Sequence, residues 1–476
     1  MTHNRTKLLV LGVPAVVLGG VIAFTIFSAR AARENASEVS EPISRIQVAN
    51  SPVVGEITYA DAATLPGSNW PRLFGPQGNS IVEYPGELVD WPQAGPPVVW
   101  RKPTGQGYSA PVVQDGKLVL FHRVQDEERI ECWDAESGQV LWSFAYPTAY
   151  ESPVAPTYSE GPYSTPAIVG DRVYAIGAEA KLHCLSMANG DPLWSRDLKV
   201  EFELADMNYG QQEFYGFCPS PVPCGDMLIV NVGGREQTAG VVAFDQHTGE
   251  TLWQATNDGA SYATPTLAEI DGEPVAIVLS RDALVVLKPA DGSVLFREEF
   301  RSKNPDTTNA TSPVVVGETV FACGYGVGAM AINLRGKISN DATTCASPVA
   351  PQPEIVWRER RSLDAQYTNL LALGETIIGY PSRWRGTLMA VELQTGKVKW
   401  KLATDYARGN GVFINGEWIV LSEEGDLLRF GKLPNEPVLT AVSEAYLTGP
   451  CYTGPTFAAG RMYLRTEREL VCVQLF

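Results

Sequence analysis

The sequence predicts an all-β fold, an eight-bladed β-propeller of four-stranded blades, and three observations predict it. A hairpin signature recurs along the chain. A second turn signature recurs eight times. The last unit is one strand short, and an early segment can supply the missing strand. Composition agrees: charged residues make up only 19 %, while Gly (44), Pro (34) and Trp (11) are plentiful, which suits many short strands joined by turns.

The first signature is a glycine followed four positions later by an aromatic ring. Gly138 precedes Trp142, Gly190 precedes Trp194, Gly249 precedes Trp253, Gly292 precedes Phe296, and Gly396 precedes Trp400. A short apolar strand stands upstream of each, as in Val241-Val242-Ala243-Phe244 and Leu284-Val285-Val286-Leu287. Strand, polar turn with Gly, strand with an aromatic is a β-hairpin pattern.

The second signature gives the count. Turns at Asp115-Gly116, Gly170-Asp171, Gly225-Asp226, Asp271-Gly272, Gly317-Glu318, Gly374-Glu375, Asn415-Gly416 and Gly460 each separate two apolar runs. They recur about every 49 residues between Gly116 and Gly460, room for four strands per unit. The last unit stops after Leu470-Val471-Cys472-Val473, and the orphan strand Pro97-Val98-Val99-Trp100 precedes the first. Pairing the two closes the ring and removes an exposed sheet edge. Trp100, Trp142, Trp194, Trp253, Phe296, Trp357 and Trp400 are therefore expected as structural rings that fill the wedge between neighbouring blades.

Outside the propeller, assigned to residues 70–476, the N-terminus reads as an export signal. Arg5 and Lys7 precede an uncharged run from Leu8 to Phe27, long enough to span a hydrocarbon core of about 30 Å. Residues 1–30 are thus a signal anchor in the inner membrane or, through the small-residue pattern Ala29-Arg30-Ala31, a cleaved signal peptide. Residues 31–69 have no periodicity and read as a flexible linker. Either route places the propeller on the periplasmic side. The formal net charge of −17 repels phosphate backbones and excludes a nucleic-acid partner.

The residues also resemble a known family. Ala243-Phe244-Asp245-Gln246-His247-Thr248-Gly249, with Trp253 following, is similar to the repeat of pyrroloquinoline-quinone-type propellers, and Cys132-Trp133-Asp134-Ala135-Glu136-Ser137-Gly138 is a near variant. Tyr215-Gly216-Phe217-Cys218-Pro219-Ser220-Pro221 and Gly324-Tyr325-Gly326-Val327-Gly328 look most like exported quinoprotein-like propellers of environmental bacteria. The architecture is also similar to the BamB propellers of the outer-membrane-protein assembly machinery. In the quinoprotein dehydrogenases a disulfide of adjacent cysteines covers the quinone, which contacts Ca²⁺ held by carboxylate and amide oxygens. Here the eight cysteines include no adjacent pair and no Cys-x-x-Cys-His. No cofactor and no metal are therefore expected, although Glu151, Glu160 and Asp206 are acids near the channel.

Other chemistry is equally thin. His3, His122, His183 and His247 have no ligand-spaced partner, and no Gly-x-Ser-x-Gly occurs. Cys132, Cys184 and Cys472 occupy a small, buried strand position. Cys218 with Cys224, or Cys323 with Cys345, is a candidate disulfide after export. Asn309-Ala310-Thr311 is a glycosylation sequon by pattern. One constellation remains as a candidate ligand site. Tyr108, Ser109, Tyr163, Ser164, Tyr262, Asn309, Thr311, Tyr367, Asn410 and Tyr452 begin the inner strands and would ring the channel mouth. The function expected is a non-catalytic, monomeric scaffold that binds an envelope protein, a peptide or a small polar ligand there. A divergent quinone- and Ca²⁺-dependent dehydrogenase and a carbohydrate-binding module or hydrolase are the alternatives.

Overall fold

The computed structural model describes residues 67–152, 159–204, 216–304, 307–336 and 353–476. The apolar run 8–27, most of the linker 31–69, Asp206 and Cys345 lie outside the described residues. Among those described, no helix is long and apolar enough to cross a membrane.

Eight antiparallel sheets of four strands succeed one another along the chain, as the repeat count expects. Blade 1 is typical: Val112–Gln114, Lys117–Val124, Glu127–Asp134 and Val140–Pro147, from the channel outward. The second and third strands are apolar on both faces, because each face meets a neighbouring blade; Leu118, Val119, Leu120 and Phe121 are all buried. The outermost strand alternates between buried and exposed, since its outer side meets water. The turns between first and second strands take the hairpin geometry that their residues allow. Asp115 and Gly116 have φ of 51° and 74°, and Asn415 and Gly416 have 50° and 86°, the all-positive pair of a type I′ turn.

Buried apolar residues fall into eight clusters, each shared by two adjacent blades. An open arc of eight blades has seven seams; the eighth cluster, with Trp100, Val113, Leu118, Tyr463 and Cys472, joins blade 8 to blade 1. Blade 8 itself is composite. Thr456–Ala458, Arg461–Arg465 and Glu469–Gln474 are joined by Val98–Pro103, with Trp100 opposite Cys472 and Lys102 opposite Leu470.

The indoles hold these seams in one repeated way. The Trp100 N–H donates to the Ala135 carbonyl at 3.2 Å, Trp142 to Met187 at 3.1 Å, Trp194 to Gln246 at 3.0 Å, and Trp253 to Pro289 at 2.7 Å. Trp357 reaches Leu393 at 2.7 Å and Trp400 reaches Pro434 at 2.6 Å. Each acceptor lies on the next blade, in or beside the turn between its third and fourth strands. At five of these six docks a turn glycine lies under the ring, Trp400 being the exception: a Cβ on Gly190 would sit 2.6 Å from Trp142 Cε3, and one on Gly249 would sit 2.7 Å from Trp194. The residue paired with each indole across its own sheet is small, with Cys132 facing Trp142, Cys184 facing Trp194 and Ala243 facing Trp253. Phe296 has no N–H to donate and only packs against the core between blades 4 and 5.

Residues 67–97 form a strap that passes along the inner strands and then under blades 7 and 8. Trp70 exchanges backbone hydrogen bonds with Val113 of blade 1, and the Ile168 N–H of blade 2 donates to the Pro71 carbonyl at 2.8 Å. Residues 72–78 lie against Ser220, Thr264 and Ser312 of blades 3 to 5. Ile81–Val82 then pairs in parallel with Phe413 and Ile414, adding a fifth strand to blade 7 on its channel edge. These contacts run from the turn ends of the inner strands, at Val113, Ile168 and Ile414, to the strand starts at Ser220, Thr264 and Ser312, so the strap crosses the channel. The strap is invisible to periodicity because its contacts, backbone hydrogen bonds together with the packed side chains of Trp70, Val82, Tyr84 and Trp91, do not repeat.

One seam also carries buried ionisable groups. Glu128 accepts hydrogen bonds from the Ala178 N–H at 2.9 Å and the Tyr146 hydroxyl at 2.6 Å, tying blade 1 to blade 2. Burial raises its carboxyl above the usual range. The His183 ring lies 4.3 Å from that of Tyr146, and burial pulls its pKa down to about 4.

Two predictions follow from these seams. Gly190 and Gly170 both have positive φ, but only at Gly190 does an added Cβ meet an indole. Gly190→Ala should therefore destabilise the protein by about 1–3 kcal/mol more than Gly170→Ala, read as a lower thermal midpoint. The second concerns pH. A histidine whose folded pKa is depressed stabilises the fold above its unfolded pKa, and that stability is lost as pH falls through the folded value. Glu128 acts in the opposite sense, so the comparison is between variants. From pH 7 to 4.5 the wild type should lose about 2–3 kcal/mol more stability than His183→Phe, measured by denaturant unfolding at each pH.

Candidate functional site: the channel mouth

Each inner strand starts at the face opposite its turn into the second strand, and its first residues follow a common register. Counting three positions back from the proline that opens a strand gives Tyr108, Tyr163, Cys218, Tyr262, Ala310 and Tyr452 before Pro111, Pro166, Pro221, Pro265, Pro313 and Pro455. Tyr367 and Arg408 hold the same place in blades 6 and 7, counted from their turns. The rings of Tyr452, Tyr108 and Tyr163 touch in succession across blades 8, 1 and 2, with centroids 5.1 and 5.7 Å apart. Tyr150 continues this run beside Tyr163 at 6.2 Å. The Arg408 guanidinium lies over the Tyr367 ring at 5.7 Å and is fixed by Glu423 at 2.9 Å. Tyr367 is the most open of the five strand-start tyrosines, at 37 % exposure; Tyr108, Tyr163, Tyr262 and Tyr452 are half-buried.

The phenols are held and kept neutral. Tyr108 accepts a hydrogen bond from the Ser159 N–H at 3.0 Å, and Tyr163 donates to the Ser159 carbonyl at 2.5 Å. Burial raises the pKa of both Tyr108 and Tyr163, and pushes Tyr150 up to about 12. The mouth therefore presents neutral π-faces, the Arg408 guanidinium paired with Glu423 and the Glu467 carboxylate beside Tyr108, a surface suited to peptide groups or hydroxylated rings.

The other residues predicted for this ring lie behind it. Asn309 is buried and donates to the Ser280 and Phe300 carbonyls, both at 2.9 Å, so the sequon asparagine faces the protein interior. Asn410 accepts from the Asn369 N–H at 2.7 Å and donates to the carbonyls of Tyr367 and Tyr452, joining blades 6, 7 and 8. Thr311 donates to the Thr368 carbonyl, and Ser109 and Ser164 are fully buried. One position before each strand-opening proline a relay runs from blade to blade. The N–H groups of Ala110, Thr165, Ser220 and Thr264 donate to the hydroxyls of Thr165, Ser220, Thr264 and Ser312, at 2.9–3.1 Å. The Ser/Thr-Pro pairs were the readable signal for this relay.

Under the tyrosines a charged residue closes the last seam. Arg465 of blade 8 is 1 % exposed and donates to the carbonyls of Ser109, Phe121 and Gln106, all on the blade 1 side. Burial pulls its guanidinium down to about 9.

The cysteines and acids resolve differently from the pairings left open. Cys218 and Cys224 carry thiols and are not bonded to each other. They sit at opposite ends of one extended stretch, about 20 Å long at ~3.3 Å per residue, beyond the reach of a disulfide. Cys323 is also a thiol, and its proposed partner Cys345 lies outside the described residues. Glu151 is exposed and Glu160 half-buried, and among the described residues no group of three or more His, Cys, Asp or Glu assembles to hold a metal ion.

Comparison with known proteins adds the family. A family model described as outer membrane protein assembly factor BamB matches residues 126–402, more than half of the chain. The chain belongs to the BamB family. It is 22 % identical over 351 residues to the outer membrane protein assembly factor BamB of Yersinia pestis, covering 72 % of this chain and 80 % of that protein. The crystal structure of BamB from Moraxella catarrhalis superposes with a TM-score of 0.56 at 13 % identity, over 81 % of this chain and 99 % of that one. The quinohemoprotein alcohol dehydrogenase of Comamonas testosteroni superposes at 0.51 and 12 % identity, over 86 % of this chain and 80 % of that one. At these identities the two structures show the shared fold. The BamB-family propeller described here thus joins a plain repeat scaffold to a tyrosine-lined mouth.

Arg465 provides the prediction for this site. Arg465→Met should leave three seam carbonyls without their donor and lower stability by about 3–5 kcal/mol. Amide hydrogen exchange should rise first at the blade 8–blade 1 seam.

Proposed function

We propose that this protein is a non-catalytic scaffold of the bacterial cell envelope that binds a protein partner, in extended form, at its tyrosine-ringed channel mouth. The observation that carries the reading is the difference between the two ends of the channel. The strap pairs through its backbone with blades 1, 2 and 7 near the turn ends of their inner strands. The upper end presents Tyr108, Tyr163, Tyr262, Tyr367 and Tyr452, with Arg408 over Tyr367. Aromatic faces with a fixed arginine are the residue types that dominate binding energy at protein interfaces.

Family membership supports the partner class. Relatives carry the name outer membrane protein assembly factor, and the partner proposed here is a component or client of that assembly. The apolar run 8–27 would hold the scaffold at the inner membrane, with the propeller on the periplasmic side. The scaffold works as a monomer in this reading, since the ring closes within one chain. Ser109, Ser164, Asn309, Thr311 and Asn410 support the mouth from behind, and the tyrosines meet the partner.

The test is site-specific photo-crosslinking in cells, with the full-length protein carrying a photoreactive side chain at Tyr367 or, as a control, at exposed Gln139 in a turn on the opposite face. The reading expects a defined outer-membrane-assembly protein to crosslink at Tyr367, with about tenfold less adduct in Tyr108→Ala/Tyr452→Ala. Equal adduct from both positions, or none at Tyr367, would contradict it. Calorimetry with pyrroloquinoline quinone and Ca²⁺ separates the dehydrogenase alternative: saturable one-to-one uptake would overturn the non-catalytic reading.

A further inference from the structure

The seam between blades 7 and 8 is built differently from those with an indole dock, and the reason lies in how the ring closes. A docking indole needs the turn between the third and fourth strands of the next blade, for the carbonyl it caps and, at five of the six docks, for the glycine it covers. Blade 8 has no such turn. Its third strand ends at Gln474, two residues before the chain terminus, and its fourth strand, Val98–Pro103, arrives from the other end of the chain. Blade 7 accordingly carries no docking indole on its fourth strand, and its one indole, Trp418 of the second strand, packs toward blade 6. The register that pairs Trp142 with Cys132 and Trp400 with Ala390 pairs Ala441 with Arg429.

The strap occupies this place. Arg429, held by Glu417 at 2.8 Å, donates to the Val89 carbonyl at 3.2 Å, and its guanidinium lies 5.7 Å from the Trp91 ring. The Val89 N–H donates to the Leu475 carbonyl of blade 8 at 2.8 Å. Tyr84 packs edge-on to Phe457 at 5.3 Å and against Phe476 at 4.8 Å, both of blade 8. Asn415 of blade 7 takes the Tyr84 N–H at 2.9 Å and returns an N–H to the Tyr84 carbonyl at 2.8 Å. The Tyr446 hydroxyl donates to the Pro96 carbonyl at 2.8 Å. One segment therefore bonds to both sides of the seam.

We propose that residues 81–97 are a clasp, a strap that substitutes for the missing indole dock and keeps blades 7 and 8 together. Blades 7 and 8 open from each other when the clasp is released, while the indole-docked seams stay shut. Because Asn410 and Arg408 of blade 7 and Tyr452 of blade 8 all border the mouth, opening this seam spreads one side of the mouth.

Hydrogen–deuterium exchange on the full-length protein tests this with Trp91→Ala, Tyr84→Ala/Trp91→Ala and the control Trp142→Ala. The clasp variants should raise exchange about tenfold or more in Gly409–Ser443 and Thr456–Gln474, with little change in blades 2 to 4. Trp142→Ala should raise it instead between blades 1 and 2. Near-ultraviolet circular dichroism identifies any variant that has lost its fold, and Trp91→Ala, the milder change, keeps the comparison available. A uniform rise in a folded clasp variant, or no rise at blades 7 and 8, would overturn the proposal.

Discussion

The ring depends on one contact repeated at its seams: an indole face laid on a glycine, with the indole N–H capping a carbonyl of the same turn. The contact joins two requirements in one place. The ring buries about 150–250 Å² of apolar surface, and its polar nitrogen finds a partner as it does so. Glycine is required for two reasons at once. It adopts the positive φ of the turn, 77° at Gly190, and it leaves room for the ring within 2.6 Å of where a Cβ would stand. The small residue opposite each indole, Cys132 or Ala243 for example, follows from the same geometry. These cysteines serve as compact apolar side chains, and burial raises the Cys132 thiol to about 11.

Ring closure then sets the exceptions. Taking the outer strand of blade 8 from Val98–Pro103 closes the ring within one sheet, but it removes the turn on which blade 7 would dock. Arg465 serves the seam on one side of this composite blade, and the strap bonds across the seam on the other. The same strap passes from blades 1 and 2 along blades 3 to 5 to blade 7, so the contacts across the channel and those at blades 7 and 8 belong to a single segment. The mouth at the strand-start face is shaped by that arrangement. Its tyrosines stand on strands whose starts are tied blade to blade by hydroxyls and asparagines, which fixes ring positions before any partner arrives.

Much of this was legible in the sequence, because strand, hairpin and repeat are local patterns. Gly138 to Trp142 and its sister spacings marked hairpins, the turns from Gly116 to Gly460 gave the number of blades, and Trp100 marked an outer strand without a local partner. What escaped was set by non-local backbone contact. Trp70, Pro71 and Val89 bond through N–H and carbonyl groups that every residue carries, so no pattern announced the strap. The mouth was half legible for a related reason. Choosing aromatic and polar residues by type found the five tyrosines but also gathered Asn309 and Asn410, which turn inward. Choosing by register instead, three before the proline or the equivalent position, yields Cys218 and Arg408 and drops both asparagines. Tyr150 and Arg465 reach the site from a loop and from a second strand, and only the fold brings them there.

The measurement that bears most directly on this account is a double-mutant cycle between Trp142 and Gly190, read by equilibrium unfolding of wild type, Trp142→Ala, Gly190→Ala and the pair. If the indole–glycine contact is what holds the seam, the glycine substitution costs much less once the indole is gone. The cycle then shows a coupling of about 1–3 kcal/mol. Additive losses, within about 0.5 kcal/mol, would mean that the seam is held by general apolar burial and that the repeated contact is incidental to it.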